Sequence, residues 1–235
     1  MCGIAGILNL DGRPCDPGDV RTFADALTHR GPDGSGVHTD GPIGLGHRRL
    51  AILDLSEHGR QPMRSVDGRY WITYNGEIFN FLELRRELES LGQRFATDSD
   101  TEIILEAYRR WGTDCVLRFN GMWAFAIWDA ERRALFLSRD RFGVKPLRYL
   151  HDGRRFAFAS ELKAFRHLAG FTPRENEAEM RNLLARGGVS IEGTPFEGVK
   201  RLPGGYNLLV SAEGMRKWRN AFSSDANAKR RPSVR

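Results

Sequence analysis

Cysteine is scarce in this sequence, and its spacing excludes two common uses of the residue. Only Cys2, Cys15 and Cys115 occur among 235 residues. An odd number of widely spaced cysteines argues against a disulfide framework, and no CxxC pair or histidine at zinc-site spacing predicts a metal site. We therefore expect a fold held by its apolar core, without a bound metal.

Long apolar runs are lacking as well. The N-terminal MCGIAGILN has no basic residues ahead of its short apolar stretch, unlike a secretory signal. No stretch approaches the ~20 apolar residues that a membrane-spanning helix needs. These absences predict a cytoplasmic protein without a membrane partner.

Positive charge is concentrated at the end of the chain. The net charge is +6, and residues 211–235 hold seven Lys and Arg against two acids. Apolar periodicity fades there, which predicts a folded domain over 1–211 and a basic, disordered tail over 212–235. Nucleic-acid binding by the basic cluster at 229–231 is the weaker interpretation, and a solvated tail is the stronger one.

Apolar spacing predicts an α+β fold with largely antiparallel sheets packed between helical layers. Residues 3–10 are typical of a buried strand. Helices are expected from Asp16 to just before Gly31, from Asn80 to Gly92, and from a capping-box spacing at 99–102. Strand-like runs cover residues 43–45, 50–53, 70–74, 123–128, 134–138 and 156–159, with a hairpin over 122–138.

Cys2 has two interpretations. If Met1 is removed, one residue carries a thiol with an ordinary pKa of about 8.5 and an α-amine with an ordinary pKa of about 7.7–8.0. The amine then serves as the base for its own nucleophile, without a histidine partner. The alternative, favoured by position alone, is an ordinary small residue buried in the first strand.

The dipeptide Asn75-Gly76 is equally ambiguous by residue type. Asn-Gly is a strong hairpin-turn signal, which is the structural interpretation. An Asn side-chain amide beside a glycine N–H is also a suitable pair of donors for an oxyanion. Its place after the strand-like run at 70–74 fits both.

Nine motifs in a fixed order decide between these interpretations, because they resemble the class II glutamine amidotransferases, an N-terminal-nucleophile family. The resemblance is closest to the glutaminase half of asparagine synthetases, since residues 30–36 read RGPDGSG and not RGYDSAG. It implies a four-layer αββα sandwich. The motifs are MCGIAGILN (1–9), HRGPDGSG (29–36), GHRRLAILDLS (46–56), QPM (61–63), YNGEIFN (74–80), TDSDTEIIL (97–105), FNGMWAFAIWD (119–129), SRDRFGVKPL (138–147) and FASELKAF (158–165).

The resemblance implies roles for individual residues. Cys2 matches the nucleophile that forms a γ-glutamyl thioester, and Asn75 and Gly76 match the oxyanion hole. The glutamine-binding set is Arg49 for the α-carboxylate, Asp100 for the α-ammonium, and Leu50, Asn75, Gly76 and Glu77. An RGPD segment of Arg30, Gly31, Pro32 and Asp33 is either an active-site loop that closes over glutamine or a plain turn.

Three neighbouring features carry expectations of their own. Arg48 is expected to be solvated. The charged segments 138–141 and 160–163 are interface candidates. Arg148 departs from the aromatic residue that the resemblance leads us to expect.

At the level of function, the resemblance implies hydrolysis of L-glutamine to L-glutamate and ammonia, for asparagine synthesis or a related ATP-dependent amidation. The sequence has no SGGxDS-like nucleotide loop. We therefore expect no cofactor in this chain, with ATP and Mg on a synthetase domain or a partner chain. The chain is then a truncated or frame-shifted synthetase or a stand-alone subunit, and a homodimer is a further option. The alternative function is a catalytically silent glutamine-sensing or partner-binding module.

Overall fold

The computed structural model of the chain describes residues 1–51 and 59–220. These residues form twelve strands and four α-helices. The strands are β1 (Gly3–Asn9), β2 (Gly34–Asp40), β3 (Ile43–Arg49), β4 (Met63–Arg64), β5 (Tyr70–Ile78), β6 (Gly121–Asp129), β7 (Ala134–Arg139), β8 (Arg148–His151), β9 (Arg155–Ala159), β10 (Val199–Arg201), β11 (Tyr206–Ser211) and β12 (Gly214–Arg219). The helices are α1 (Pro17–Asp25), α2 (Phe81–Ser90), α3 (Asp100–Trp111) and α4 (Glu177–Arg186).

The strands form two six-stranded antiparallel sheets. The first sheet has the order β10-β8-β9-β1-β3-β2, and the second has the order β12-β11-β7-β6-β5-β4. Alternate residues of each strand face opposite layers: Ile4 packs between the sheets, whereas Ala5 packs on the outer face of the first sheet. α1 covers that outer face, and α2 and α3 cover the outer face of the second sheet. The predicted α+β αββα sandwich is confirmed.

α1 and α3 begin where the sequence predicts, but α1 ends earlier than predicted. Asp16 caps α1 by accepting a hydrogen bond from Gly18 N at 2.6 Å, but the helix ends at Asp25, well before Gly31. Ser99 caps α3. The predicted capping box is wrong, because Glu102 turns to the preceding segment and accepts hydrogen bonds from the backbone N–H groups of Ala96 and Thr97.

Asn75 and Gly76 lie inside a strand. In β5 they pair with Ala124 and Trp123 of β6, so the hairpin-turn interpretation is wrong. The predicted hairpin over 122–138 is confirmed as β6 and β7. Of the strand-like run 50–53, Leu50 and Ala51 follow β3 without strand structure, and residues 52–53 lie outside the described part of the chain.

The second sheet continues past residue 211, which is the predicted end of the folded domain. β12 pairs with β11 along its whole length and ends at Arg219. The basic cluster at 229–231 lies outside the described residues. Each described helix is too short and too polar to be a membrane span.

Of the two charged segments predicted as interface candidates, 138–141 is largely buried and 160–163 is buried only at its first residue. Asp140 is fully buried and accepts hydrogen bonds from three backbone N–H groups in the turn after β7. Ser160 is also buried, and its hydroxyl accepts a hydrogen bond from Ile4 N at 3.0 Å. Glu161 and Leu162 are partly buried and Lys163 is exposed, and a role of either segment in an interface stays a prediction.

α1 packs closely on β3 because two positions of the strand lack a side chain. A Cβ on Gly44 would lie 2.2 Å from Val20 Cγ2 and 2.8 Å from Cys15 Sγ, and a Cβ on Gly46 would lie 2.7 Å from Ala24 Cβ. These contacts fix the strand that ends at Arg49. The glycines thus set the position of the residues that follow.

We predict that Gly44→Ala lowers the free energy of unfolding by about 1–3 kcal/mol, because the added methyl overpacks the α1–β3 contact. Urea denaturation followed by circular dichroism measures the change. The control is Gly188→Ala, where a Cβ would meet no atom within 4 Å. Equal stability of the two variants would contradict this account of the packing.

Candidate active site

The Cys2 thiol lies at the end of the first sheet, beside the residue that follows β3. Its Sγ accepts a hydrogen bond from Leu50 N at 3.4 Å and donates to Leu50 O at 3.7 Å. The side chain is partly exposed, and the pairing of Gly3 with Arg48 holds the start of β1 against β3. Cys2 is therefore held in place and remains accessible, unlike Cys15 and Cys115, which are buried. Burial raises the pKa of the Cys15 thiol to about 12.

Arg30 fixes the backbone of Cys2 from the opposite side. Its Nε donates to Cys2 O at 2.9 Å and its Nη1 pairs with Glu161 at 2.8 Å. Burial would raise the pKa of Glu161, but hydrogen bonds from Arg30 and His29 lower it overall. The buried guanidinium therefore has a carboxylate partner.

The rest of the RGPD segment divides into a packed half and an exposed half. A Cβ on Gly31 would lie 2.3 Å from the Arg48 carbonyl, so this glycine lets two chain segments touch. Pro32 and Asp33 are exposed, although Asp33 accepts a hydrogen bond from Ala51 N at 2.9 Å. Arg30 and Gly31 are thus part of the packed structure, and closure of this segment over glutamine stays a prediction.

The Asn75 side chain points between the two sheets. Thr73, two residues earlier on the same face of β5, donates a hydrogen bond to Gly46 O of the first sheet at 3.1 Å. Asn75 therefore faces β1 and β3, where Cys2 lies, and β1 contacts β5 directly. Its side chain is 2% exposed, and its Nδ2 is buried with no hydrogen-bond partner. An unsatisfied buried amide donor is costly unless a ligand completes it.

The backbone N–H of Gly76 lies on the open edge of β5, which is the side of the strand that faces away from β6. Backbone N–H and C=O groups alternate sides along a strand, and those of Tyr74 and Ile78 turn away from β6 to meet side chains. The N–H of Gly76, midway between them, points to the same edge. A Cβ at this position would lie 2.3 Å from Met122 O, so only glycine fits.

Asp100 lies at the first turn of α3 and meets the same edge. Its Oδ2 accepts hydrogen bonds from Tyr74 Oη at 2.8 Å and from Ile78 N at 3.1 Å. Burial raises the pKa of Asp100. Burial, together with the charges of Asp100, Glu77 and Cys2, raises the pKa of Tyr74 well above its ordinary value. The structure thus holds the Asp100 carboxylate against the Tyr74 hydroxyl.

Arg49 lines a cavity of about 200 Å³ beside this edge. Burial lowers the pKa of the neighbouring His47 to about 4, so its imidazole is neutral at neutral pH. Arg48 points to the other face, where it pairs with Asp25 at 3.1 Å and its side chain is only 14% exposed. The expectation that Arg48 is solvated is wrong. The remaining residues around the cavity are Asp33, Gly34, Ser35, Arg60 and Gln61.

Sequence reasoning missed three residues of this region: His47, Gln61 and Tyr74. All three lie inside the motifs that carry the family resemblance, but no role was assigned to them. His47 and Gln61 act on the backbone of Tyr74, a contact that residue type and spacing do not reveal. Among the described residues, no group of three His, Cys, Asp or Glu side chains is placed to hold a metal ion.

Comparisons with solved structures support the fold. Glutamine phosphoribosylpyrophosphate amidotransferase from Bacillus subtilis, complexed with ADP and GMP, aligns with a TM-score of 0.69 at 23% identity. The alignment covers 95% of this chain and 50% of that one. The structure of an allosteric regulatory enzyme of purine biosynthesis aligns with a TM-score of 0.71, also at 23% identity, over 96% of this chain and 50% of that one.

Sequence comparisons give the family. Glutamine-hydrolysing asparagine synthetase 3 of Bacillus subtilis is 38% identical over 223 residues, or 93% of this chain and 36% of that protein. A putative glutamine-hydrolysing asparagine synthetase 2 of Methanocaldococcus jannaschii is 44% identical over 194 residues, or 75% of this chain and 37% of that protein. The chain thus spans little more than a third of the length of these relatives. The glutamine amidotransferase domain family matches residues 1–221, so the chain belongs to the class II glutamine amidotransferases that its motifs predict.

Proposed function

We propose that this chain hydrolyses L-glutamine to L-glutamate and ammonia, with Cys2 as the nucleophile once Met1 has been removed. The observation that carries the proposal is the buried Asn75 amide, whose Nδ2 has no partner and which faces the end of the first sheet where the Cys2 thiol lies. A tetrahedral oxyanion formed at Cys2 supplies the missing acceptor.

The reaction has two stages. The free α-amine of Cys2 takes the thiol proton, and the sulfur attacks the side-chain amide carbon of glutamine. Asn75 Nδ2 and Gly76 N–H donate to the oxyanion, and the amide nitrogen takes the proton and leaves as ammonia. A water molecule, deprotonated by the same amine, then attacks the thioester to release glutamate and restore the thiol.

The substrate is held as a zwitterion. Arg49 pairs with the α-carboxylate, since a guanidinium makes two parallel hydrogen bonds to a carboxylate. Asp100 pairs with the α-ammonium group. Glu77 and Leu50 complete the set of residues that contact glutamine. One carboxylate oxygen of Asp100 accepts hydrogen bonds from Tyr74 and Ile78. These bonds fix the orientation of the carboxylate before glutamine binds.

We further propose that the ammonia goes to an ATP-dependent synthetase that makes asparagine or a related amide, because the relatives are named as asparagine synthetases. ATP and Mg then bind to that synthetase part and not to the residues described here. L-Glutamine is the ligand of this chain. Cytoplasmic location, a homodimer and the absence of a nucleic-acid partner stay predictions of the sequence.

We predict that Cys2→Ala abolishes glutamate release from glutamine, because it removes the nucleophile. An enzyme-coupled glutamate assay measures turnover, and intact-mass spectrometry confirms that Met1 is absent from both proteins. Cys15→Ala is the control, since this cysteine is buried beside α1. Unchanged turnover in the Cys2→Ala protein would exclude this mechanism, whereas absence of turnover in the unsubstituted protein would favour a catalytically silent glutamine-binding module.

We predict that Asn75→Ala lowers kcat by about 10²–10³-fold with little change in KM, because the lost donor acts mainly on the transition state. Steady-state kinetics with glutamine measure both constants. Asn9→Ala serves as the control, since the Asn9 amide binds only the nearby carbonyls of Arg13 and Pro14. A rise in KM at constant kcat would instead assign Asn75 to substrate binding.

We predict that Asp100→Asn raises KM for glutamine by about 10-fold or more, because a neutral amide loses the charge-assisted hydrogen bond to the α-ammonium. The amide oxygen can still accept from Tyr74 and Ile78, so the melting temperature should change little. Asp98→Asn controls for charge, because its side chain is fully exposed near the same helix start. An equal effect of both substitutions would show a general charge effect and not a specific contact.

A further inference from the structure

Strand β5 loses its neighbouring strand partway along its length. On the side away from β6 it pairs only with β4, and only at Trp71 and Ile72. No other described strand lies beside residues 73–78 on that side. The peptide groups that face this open edge therefore need other partners, because an unpaired buried backbone group costs free energy.

Buried side chains satisfy the first of these groups. Gln61 Oε1 accepts a hydrogen bond from Tyr74 N at 2.6 Å, and His47 Nε2 donates to Tyr74 O at 3.2 Å. His47 is 1% exposed and Gln61 is 7% exposed. Both partners come from outside β5: His47 from β3 of the first sheet, and Gln61 from the segment before β4.

The Gln61 side chain is itself held. Its Nε2 donates to Thr101 Oγ1 at 3.4 Å, in the first turn of α3. The hydrogen bonds of Asp100 to Ile78 N and to the Tyr74 hydroxyl arise from the same turn. The open edge is thus fixed at Tyr74 and at Ile78, and the Gly76 peptide lies between the two fixed points.

We infer that His47 and Gln61 are positioning residues for the proposed reaction: together they clamp the backbone N–H and C=O of Tyr74 and so aim the Gly76 N–H and the Asn75 amide at the oxyanion. This inference rests on the proposed function. The donors belong to the two residues directly after Tyr74, so a rotation of the backbone at Tyr74 displaces both. Catalytic donors lose effect steeply with small displacements, since a shift of ~1 Å can cost about 10²-fold in rate.

The test compares His47→Phe and Gln61→Leu with Thr73→Val. Thr73→Val removes another buried hydrogen bond between β5 and the first sheet, one residue before the clamp, and keeps the shape of the side chain. We expect the two clamp variants to lose kcat by about 10–100-fold, and the threonine variant to keep kcat within about twofold at a similar loss of melting temperature. A kcat loss that follows melting temperature in all three variants would overturn the inference.

A second measurement separates positioning from substrate binding. The γ-aldehyde analogue of glutamine adds the Cys2 thiol across its C=O bond to form a tetrahedral adduct, whereas L-glutamate binds without one. The clamp variants should lose affinity for the aldehyde by about 10-fold or more and retain their affinity for glutamate within about threefold. Equal losses for both ligands would place His47 and Gln61 in substrate binding and overturn the inference.

A third measurement does not depend on turnover. Hydrogen–deuterium exchange of the peptide that contains residues 74–78 should be faster in the clamp variants and unchanged in Thr73→Val. If the wild-type protein does not hydrolyse glutamine, the proposed function fails, and this arm still decides whether the clamp exists. Unchanged exchange in His47→Phe and Gln61→Leu would overturn the clamp itself.

Discussion

The open edge of β5 is the constraint on which the candidate site depends. A strand that ran beside residues 74–78 would satisfy their peptide groups and leave none for a ligand. β4 pairs with β5 at only two residues. Beyond them, side chains of His47, Gln61 and Asp100 bind the backbone groups of β5 that a longer β4 would have bound. The Gly76 N–H is left between them, where a developing negative charge can use it.

The packing of the two sheets places the open edge of β5 near the start of the chain. β1 is an inner strand of the first sheet, between β3 and β9, so the residue before it starts at a fixed place. The sheets stack with β1 and β3 against β5, and the buried hydrogen bond from His47 to Tyr74 O joins them. The proposed nucleophile, Cys2, and the proposed donors, Asn75 and Gly76, therefore lie on sheets that pack directly against each other, without a flexible loop between them.

Apolar spacing predicted the α+β class and antiparallel sheets between helical layers, because it reports burial directly, whereas the number of layers came from the family resemblance. Apolar spacing did not predict the elements that bury few apolar residues or are very short. α4 buries none of its residues, and β2 is a polar edge strand, so neither showed a clear period. β8 and β10 are four and three residues long, too short for a period to appear.

The site shows the same division between local and tertiary information. Turn chemistry alone placed Asn75-Gly76 in a hairpin, and pairing with Ala124 and Trp123 overrode it. The family resemblance instead assigns the dipeptide to the site, because it carries tertiary information that propensity lacks, and that role stays a prediction. His47 and Gln61 stayed unassigned, since their partner is a backbone group distant in sequence, and neither residue type announces such a contact.

Alternation along β3 explains how two adjacent arginines take opposite roles. Ile43 and Leu45 face the space between the sheets, and His47 and Arg49 continue that face, whereas Gly44, Gly46 and Arg48 face α1. Arg48 therefore reaches Asp25 at the end of α1, and Arg49 reaches the cavity. A one-residue shift in the register of β3 would exchange the faces of these two arginines. The close contact of α1 with Gly44 and Gly46 opposes such a shift, because an isoleucine, leucine or histidine would then have to fit where only a hydrogen fits. Packing on the outer face of the first sheet thereby fixes which of the two arginines lines the cavity on the inner face.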